Sequence, residues 1–264
     1  MAEAGEEGNY SPEETGRLEL IWGAGFLSPG GAAEVARILG GHRVDGCSVL
    51  DIGSGAGGVD IALVRHHDAG LVVGVDVQQE LVDLASIRAE EAGLGDRISY
   101  RLIEPGPLPY PDASFDIVLS KDAIIHVHDK RALYAEAFRV LCPGGRLLVG
   151  DWLRGGDPSL TPQVEEFVVA AGHGFAMVSR EEVVAIVESV GFGEVESEDR
   201  GSWYTAEAQA ELERLRGEMR AEFVDRWGEA AAQAELDFWE VLVTSLESGA
   251  LNPAHIRARK PMQT

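Results

Sequence analysis

Two groups of residues have the types and spacing needed for chemistry, and the first surrounds a glycine-rich segment. Residues 49–58 (VLDIGSGAGG) read as a buried strand, a glycine turn and the start of a helix, and the glycines let the backbone approach a ligand closely. Asp51, Asp76 and Glu104 each stand at or just beyond the end of a predicted strand. A GxGxxG pattern alone is also compatible with a dinucleotide-binding turn, so the choice between ligands rests on the acidic residues.

The charge of these acids distinguishes between ligands. Asp51, two residues before the first glycine, would repel the pyrophosphate of a dinucleotide, but it would attract the ammonium and sulfonium of S-adenosylmethionine. Asp76 is placed to accept from both ribose hydroxyls, and Glu104 from an adenine amino group. The set predicts S-adenosylmethionine as the cofactor; the structural alternative is three polar strand ends.

The second group is Asp122 and His126. They are four residues apart, so one helical turn would place them on the same face. A carboxylate beside an imidazole fixes its tautomer and raises its basicity. Because an alkylamine is mostly protonated at pH 7, its methylation needs a base. We therefore expect His126 to be that base and Asp122 to orient it, the alternative being a capped turn with a packed histidine.

The composition excludes several classes of function. The chain has 264 residues, 45 acidic against 22 basic, and a net charge of −23, which argues against nucleic acid as a partner. Cys47 and Cys142 are the only cysteines and no metal-type cluster is evident, so we expect no metal. Because the sequence shows no long apolar run and no signal peptide, we expect a cytoplasmic protein that does not bind a membrane. We expect it to be a monomer or a homodimer.

Short apolar runs alternate with helical patterns in the middle of the chain. This alternation predicts a doubly wound α/β sheet. Strands are predicted at 47–52, 71–75, 98–102, 115–120, 146–151, 193–197 and 255–260. Helices are predicted at 12–25, from 28 to 39, and at 59–67, 78–91, 129–140, 162–171 and 180–190, with two or three more within 205–247.

Four segments follow from this pattern. Residues 1–45 are expected to form a helical cap over the active site, and 46–200 the cofactor-binding α/β core. Residues 201–252 are expected to form a helical insertion or lid. Residues 253–264 would return as the final strand and tail.

The chain resembles the class I S-adenosylmethionine-dependent methyltransferases from about Tyr10 to Lys260. The resemblance is carried by VLDIGSGAGG, GVDV, FDIVLSKDAIIHV and VLCPGGRLLVGDW. It implies a Rossmann-like, seven-stranded, mostly parallel sheet whose last strand is antiparallel. The expected cofactor-binding residues are Asp51, Gly53, Gly55, Asp76, Val77, Glu104, Ser120, Leu27 and Ser28.

Within this superfamily the chain is similar to the phosphoethanolamine N-methyltransferases and their bacterial relatives. Tyr10, Trp22-Gly23 and the SPGG stretch at 28–31 match the family's order and spacing. The resemblance implies that Tyr10 and His126 pair to lock the active site, with His126 in proton transfer. It also implies that Leu27 and Ser28 contact the cofactor.

The chain departs from that family in the residues expected around a substrate phosphate. No Arg or Lys lies between Arg154 and Arg180, or from Asp237 to His255, although an Arg fork or a Lys is the usual way to hold a phosphate. Arg154 or a distant arginine would have to substitute. The residues expected at the pocket are instead aromatic and suit a methylated ammonium: Trp22, Trp152 and Phe167 as substrate-binding residues, with Tyr10, Trp203 and Tyr204.

Together these features predict a methyltransferase acting on a small molecule. N-methylation of a small polar amine is the first expectation, and O-methylation of a small molecule in specialised metabolism is the alternative. A nicotinamide-dependent oxidoreductase is disfavoured by Asp51 and by the lack of a Tyr-x-x-x-Lys pair. A non-catalytic cofactor-binding module is disfavoured by the Asp122/His126 pair.

Overall fold

A single mixed sheet organises the chain in the computed structural model, which describes residues 9–262. Residues 1–8 and 263–264, the outer ends of the predicted cap and tail, lie outside the described part. Within 9–262 the sheet has seven strands in the order β3-β2-β1-β4-β5-β7-β6. β7 runs antiparallel to both β5 and β6, whereas the pairs from β3 to β5 are parallel. The predicted α/β fold is confirmed.

The strands form where the sequence has short apolar runs. Val49, Leu50, Val118 and Leu148 are fully buried, as expected for a sheet covered on both faces. Along the chain the strands are β1 (Ser48–Ile52), β2 (Leu71–Asp76), β3 (Ile98–Leu102), β4 (Phe115–Lys121), β5 (Leu141–Asp151), β6 (Gly193–Asp199) and β7 (Ala254–Arg259).

Helices cover the sheet and extend beyond its carboxyl edge. They are α1 (Pro12–Trp22), α2 (Gly31–Leu39), α3 (Gly58–His67), α4 (Gln79–Glu91), α5 (Lys130–Val140), α6 (Thr161–Ala171), α7 (Arg180–Val190), α8 (Gly201–Arg216) and α9 (Arg220–Glu247). None of the helices within 9–262 is both long and apolar enough to cross a membrane.

The first two helices are shorter than predicted, because glycines with positive φ interrupt them. α1 starts after the Ser11 N-cap, as expected, but ends at Trp22 because Gly23 has a φ of 95°. α2 starts at Gly31 rather than at Ser28, because Gly30 is left-handed with a φ of 87°. The residues between the two helices therefore form a loop, and this loop lies against the glycine turn after β1: the N–H of Gly58 donates to the carbonyl of Gly25 at 2.9 Å.

The C-terminal helices form a second hydrophobic core with α1 and α6. Trp239, Phe223 and Tyr204 are almost fully buried in it, together with Leu18 and Phe167. Between β6 and β7, α8 is followed by α9, which is broken at Gly228 (φ 86°, ψ 167°). This core brings α1, α6 and α9 together above the carboxyl ends of β4 and β5.

Candidate active site

The position of the site follows from the strand order. β1 lies between β2 and β4: β2 and β3 extend the sheet on one side of β1, and β4 and β5 extend it on the other side. In open α/β sheets, ligands bind at the carboxyl edge where the order reverses. The glycine turn after β1 and the segment after β4 meet at this edge.

The glycine turn requires glycine and is held by Asp76. Gly53 and Gly55 have φ values of 77° and 51°, and a Cβ on Gly53 would overlap the side chain of Ala123. The N–H of Gly55 donates to Oδ2 of Asp76 at 2.9 Å, and the N–H of Gln78 donates to Oδ1 at 3.0 Å. Asp76 is therefore fixed at the turn, where two of its lone pairs are already used.

Asp51 is fully buried beneath this turn, beside Asp60. Within residues 9–262 their carboxyl oxygens have no hydrogen-bond partner. Burial raises the pKa of both carboxyls, and the repulsion from Asp51 raises that of Asp60 further. The pair therefore retains a proton, and a buried carboxylate of this kind is stabilised by a cation. A sulfonium and ammonium cofactor fits that requirement. Sequence reasoning missed Asp60, although an acid in the first turn of a buried helix was a visible signal.

The other predicted cofactor residues occupy different environments. Val77 exposes 54% of its surface beside Asp76 and offers an apolar face. Glu104 is exposed, two residues after β3 ends. Ser120 is buried, and its hydroxyl donates to the carbonyl of Ile52 at 2.7 Å, so it braces β1 against β4. Leu27 packs near Gly55. The hydroxyl of Ser28 accepts a hydrogen bond from Lys121 Nζ.

The prediction that Asp122 and His126 share one helical turn is wrong. Asp122 has a left-handed φ of 56°, and only Ile124–His126 form a short 3₁₀ turn. The Asp122 carboxylate accepts from Lys121 Nζ at 2.6 Å and from the hydroxyl of Tyr204 at 3.3 Å. No hydrogen bond between Asp122 and His126 is present in the described part of the chain. The left-handed φ of Asp122 turns the backbone at this point. The Asp122 carboxylate is therefore bound by Lys121 and by Tyr204 of α8 rather than by the His126 imidazole.

His126 lies next to Tyr10. The Tyr10 hydroxyl is 3.4 Å from Nε2 of His126, and Oε1 of Gln78 accepts from the Tyr10 N–H at 3.0 Å. The Tyr10 ring also lies over His173, with the ring centroids 4.5 Å apart. Burial, together with the neighbouring His173 and Lys130, lowers the pKa of His126 to about 4. His126 is therefore neutral at pH 7 and able to accept a proton.

Two buried ionisable side chains, Lys130 and Asp151, hold the 3₁₀ turn in place. Lys130 Nζ donates to the carbonyls of Ile124 and Val127 at 2.7 and 3.0 Å. Oδ1 of Asp151 accepts from the N–H of Ile125 at 3.2 Å. Burial lowers the pKa of Lys130 and raises that of Asp151. Sequence reasoning missed both residues, since neither motif nor spacing connects them to His126.

A cavity of about 340 Å³ opens beside Tyr10. Tyr10, Trp22, Trp152 and Phe167 all line it, as do Leu27, Ser28 and Asp122. Trp152 and Phe167 are stacked with centroids 6.3 Å apart. Trp203 lies elsewhere, under the guanidinium of Arg200 at 4.7 Å, and Tyr204 contacts the cavity only through Trp152 and Asp122. Phe175 and Phe238, which sequence reasoning did not select, complete the aromatic wall.

Comparison with known proteins decides the family. Residues 50–149 match the family model described as "Methyltransferase domain". The 27-O-demethylrifamycin SV methyltransferase of Amycolatopsis mediterranei is 33% identical over 222 residues, covering 82% of this chain and 78% of that protein. The chain belongs to the S-adenosylmethionine-dependent methyltransferases. Its cofactor is S-adenosylmethionine, and the oxidoreductase alternative is set aside.

Other methyltransferases are similar over most of this chain. Phosphoethanolamine N-methyltransferase 1 of Arabidopsis thaliana is 32% identical over 203 residues, which is 76% of this chain and 40% of that protein. The structure of Haemonchus contortus phosphoethanolamine N-methyltransferase 2, with phosphomonomethylethanolamine and S-adenosylhomocysteine bound, matches with a TM-score of 0.86 at 25% identity. The match covers 96% of this chain and 59% of that chain. The methyltransferase chain described here thus spans about two fifths of the length of the plant relative.

Proposed function

We propose that this methyltransferase transfers a methyl group to the nitrogen of a small amine bound in the aromatic cavity. The observation that supports this most directly is the neutral, largely buried His126 beside the hydroxyl of Tyr10, a residue that lines the cavity. An amine nitrogen must lose a proton before it can attack a methyl group. Tyr10 and His126 supply a path for that proton.

S-adenosylmethionine would supply the electrophilic methyl group when bound at the glycine turn. We assign the ribose hydroxyls to Asp76, one face of the adenine to Val77, and the adenine amino group to Glu104. Asp51, with Gly53 and Gly55 above it, supplies negative charge beneath the cationic end. Leu27 and Ser28 line the cavity, and Leu27 also lies near Gly55, so we place these two residues between the cofactor and the acceptor. The buried carboxyl groups of Asp51 and Asp60, which have no hydrogen-bond partner among the described residues, support a cationic ligand at the glycine turn.

The cavity prepares the amine for attack in two ways. Burying an ammonium among Trp22, Trp152 and Phe167 removes it from water, which lowers its pKa and favours the neutral amine. The Tyr10 hydroxyl then receives the amine proton while its own proton passes to Nε2 of His126. After transfer, the aromatic faces stabilise a methylated ammonium through cation–π attraction.

Asp122 has an electrostatic role in this scheme. Its carboxylate lines the cavity and keeps one negative charge next to the reacting nitrogen, balanced by Lys121. Tyr204 fixes its position from α8. Asp122 is therefore assigned as the residue that attracts the ammonium, and the orientation of His126 is assigned to the Lys130/Asp151 pair.

An O-methyltransferase is the second candidate. It is favoured by the rifamycin methyltransferase, whose name places its methyl on an oxygen and of which this chain spans 78%. In that case Tyr10 and His126 would take the proton of a hydroxyl. The phosphoethanolamine N-methyltransferases, by their names, favour nitrogen.

A pair of histidine variants tests the proton path. We expect His126→Asn to lower kcat on an amine acceptor by about 100-fold, because the proton acceptor is lost, with little change in S-adenosylhomocysteine affinity. His128→Asn is the matched control, since His128 is exposed two residues away. Full turnover of His126→Asn on the acceptor that the wild type methylates fastest would refute the proposal.

A further inference from the structure

One wall of the cavity, to which α1 and α9 contribute, carries charged residues. Glu14 and Arg17 from α1 and Glu235 from α9 all line the cavity. Glu235 is largely buried, with 11% of its side chain exposed. This wall was not among the sites predicted from sequence.

The arginine in this wall is already engaged. Its Nε is 3.1 Å from Oε2 of Glu235, and its Nη1 donates to Oε1 of Glu13 at 2.8 Å. Two carboxylates therefore share one guanidinium. An anionic ligand group that reached the remaining N–H groups of Arg17 would lie close to both carboxyl groups.

The remaining charged groups around the cavity are likewise paired. Lys121 is bound to Asp122 and Ser28, and His173 Nε2 is 2.7 Å from Oε1 of Glu14. Arg154, the predicted substitute for a phosphate-binding residue, does not line the cavity and donates to Glu182 at 2.6 Å. Among residues 9–262, the cavity wall thus has three acidic side chains and a single arginine, which suits a cation or a neutral donor better than a dianion.

The size and lining of the cavity add a second constraint. A volume of about 340 Å³ is in the range of drug-sized ligand sites and exceeds the needs of a two-carbon amine. Its walls are mostly aromatic and aliphatic, including Phe167, Phe175 and Phe238. An acceptor that fills it must bring apolar surface.

We propose that the acceptor is an unphosphorylated amine with an apolar body and a hydrogen-bond donor besides the reacting nitrogen, and that Glu235 is a specificity-determining residue that accepts from this donor and disfavours phosphate. The inference rests on the proposed function, because it takes the aromatic cavity as the acceptor site. It narrows the expected acceptor from a small polar amine to an amine with a largely apolar body. It also separates this chain from the phosphoethanolamine N-methyltransferases that it resembles.

Calorimetry on the full chain saturated with S-adenosylhomocysteine tests this inference. The probes are tyramine, an aromatic amine with a phenolic donor, and phosphoethanolamine. We expect tyramine to bind at least about tenfold more tightly, a difference of about 1.4 kcal/mol. Equal affinity, preference for phosphoethanolamine, or no binding of either probe would overturn the proposal.

A charge-neutral variant assigns the discrimination to Glu235. Glu235→Gln keeps the side-chain shape and one acceptor oxygen but carries no charge, and it removes one of the two carboxyl partners of Arg17. We expect the ratio of phosphoethanolamine to tyramine affinity to rise about tenfold in this variant. Glu13→Gln is the matched control, because Glu13 also binds Arg17 but lies outside the cavity.

If the ratio stays within about twofold of the wild type in Glu235→Gln, Glu235 does not set the specificity. This outcome is distinct from failure of the proposed function. The proposed function fails if the methyl is found on oxygen or if the proton path is dispensable. Neither result depends on the ratio of the two affinities.

Discussion

At the scale of single residues, the chemistry of the site depends on how burial changes ordinary side chains. His126 is a weak base in the folded chain, with a pKa lowered to about 4, and Tyr10 is the group that connects it to the cavity. Burial and nearby carboxylates raise the pKa of Tyr10, so its hydroxyl stays protonated. We propose that the pair acts as a proton relay, in place of the carboxylate-oriented imidazole that the sequence predicted.

Removing one oxygen atom tests the relay. In Tyr10→Phe the stacking on His173 is kept, but the hydroxyl between the cavity and His126 is lost. We expect kcat to fall by about 10- to 100-fold, whereas KM for S-adenosylmethionine changes by less than about threefold. Steady-state rates with radiolabelled cofactor measure both. A fall in stability without a fall in kcat would mean that Tyr10 only packs the cap.

The lowered pKa of His126 also predicts a dependence of stability on pH. The unfolded chain binds a proton at His126 near pH 6.5, but the folded chain does so only near pH 4. Its neutral form therefore contributes stability above pH 6.5, and this contribution is lost as the pH falls from about 6.5 to about 4. The other buried acids titrate in both proteins, so the difference in pH dependence between the wild type and His126→Asn isolates the contribution of His126.

The measurement is the melting temperature of both proteins at pH 7 and pH 5. We expect the wild type to lose more than His126→Asn over this interval. Parallel losses would show that the His126 pKa is not depressed in solution.

At the scale of secondary-structure elements, α2 is fixed to the sheet by a buried carboxylate. Oε1 of Glu34 lies 2.7 Å from Nε2 of His255 in β7, and Arg200, just before α8, donates to both Glu34 oxygens at 3.1 and 2.8 Å. Burial alone would raise the pKa of Glu34, but the hydrogen bonds from His255 and Arg200 outweigh it and lower the pKa. This cluster joins the cap, the last strand and the insertion.

Truncation of Glu34 should therefore destabilise the whole chain. Glu34→Ala leaves His255 and Arg200 buried without their partner, and we expect the free energy of unfolding to fall by about 3–5 kcal/mol. Glu91→Ala at the exposed end of α4 is the control, with a change expected within about 0.5 kcal/mol. Urea denaturation measures both; a similar small loss in the two variants would remove Glu34 from this role.

Sequence patterns predicted the sheet well because its strands are apolar runs buried on both faces, as in β1 and β4. They predicted the glycine turn because Gly53 and Gly55 need conformations that other residues avoid. They failed at Asp122, because a left-handed φ at an aspartate cannot be read from spacing. They also missed Lys130, Asp151 and Glu235, which meet their partners only through tertiary packing.

At the scale of the whole molecule, the charge of −23 acts on stability as well as on partners. Like charges on a compact surface repel one another, and salt screens the repulsion. We expect the melting temperature to rise from low salt to about half-molar sodium chloride, because the Debye screening length shortens as salt is added. A fall over this range in differential scanning calorimetry would show that the surface ion pairs, such as Arg216–Glu240, outweigh the net repulsion.

The central claim is that the chain moves the methyl group of S-adenosylmethionine to an amine nitrogen in the cavity beside Tyr10 and His126. The direct test uses cofactor carrying a carbon-13 methyl group, an acceptor with both an amine and a hydroxyl such as tyramine, and two-dimensional NMR of the product. We expect the labelled methyl to correlate with the carbon next to nitrogen, and His126→Asn to give far less of this product. A labelled methyl on oxygen would contradict it, as would transfer to nitrogen at an undiminished rate in the variant.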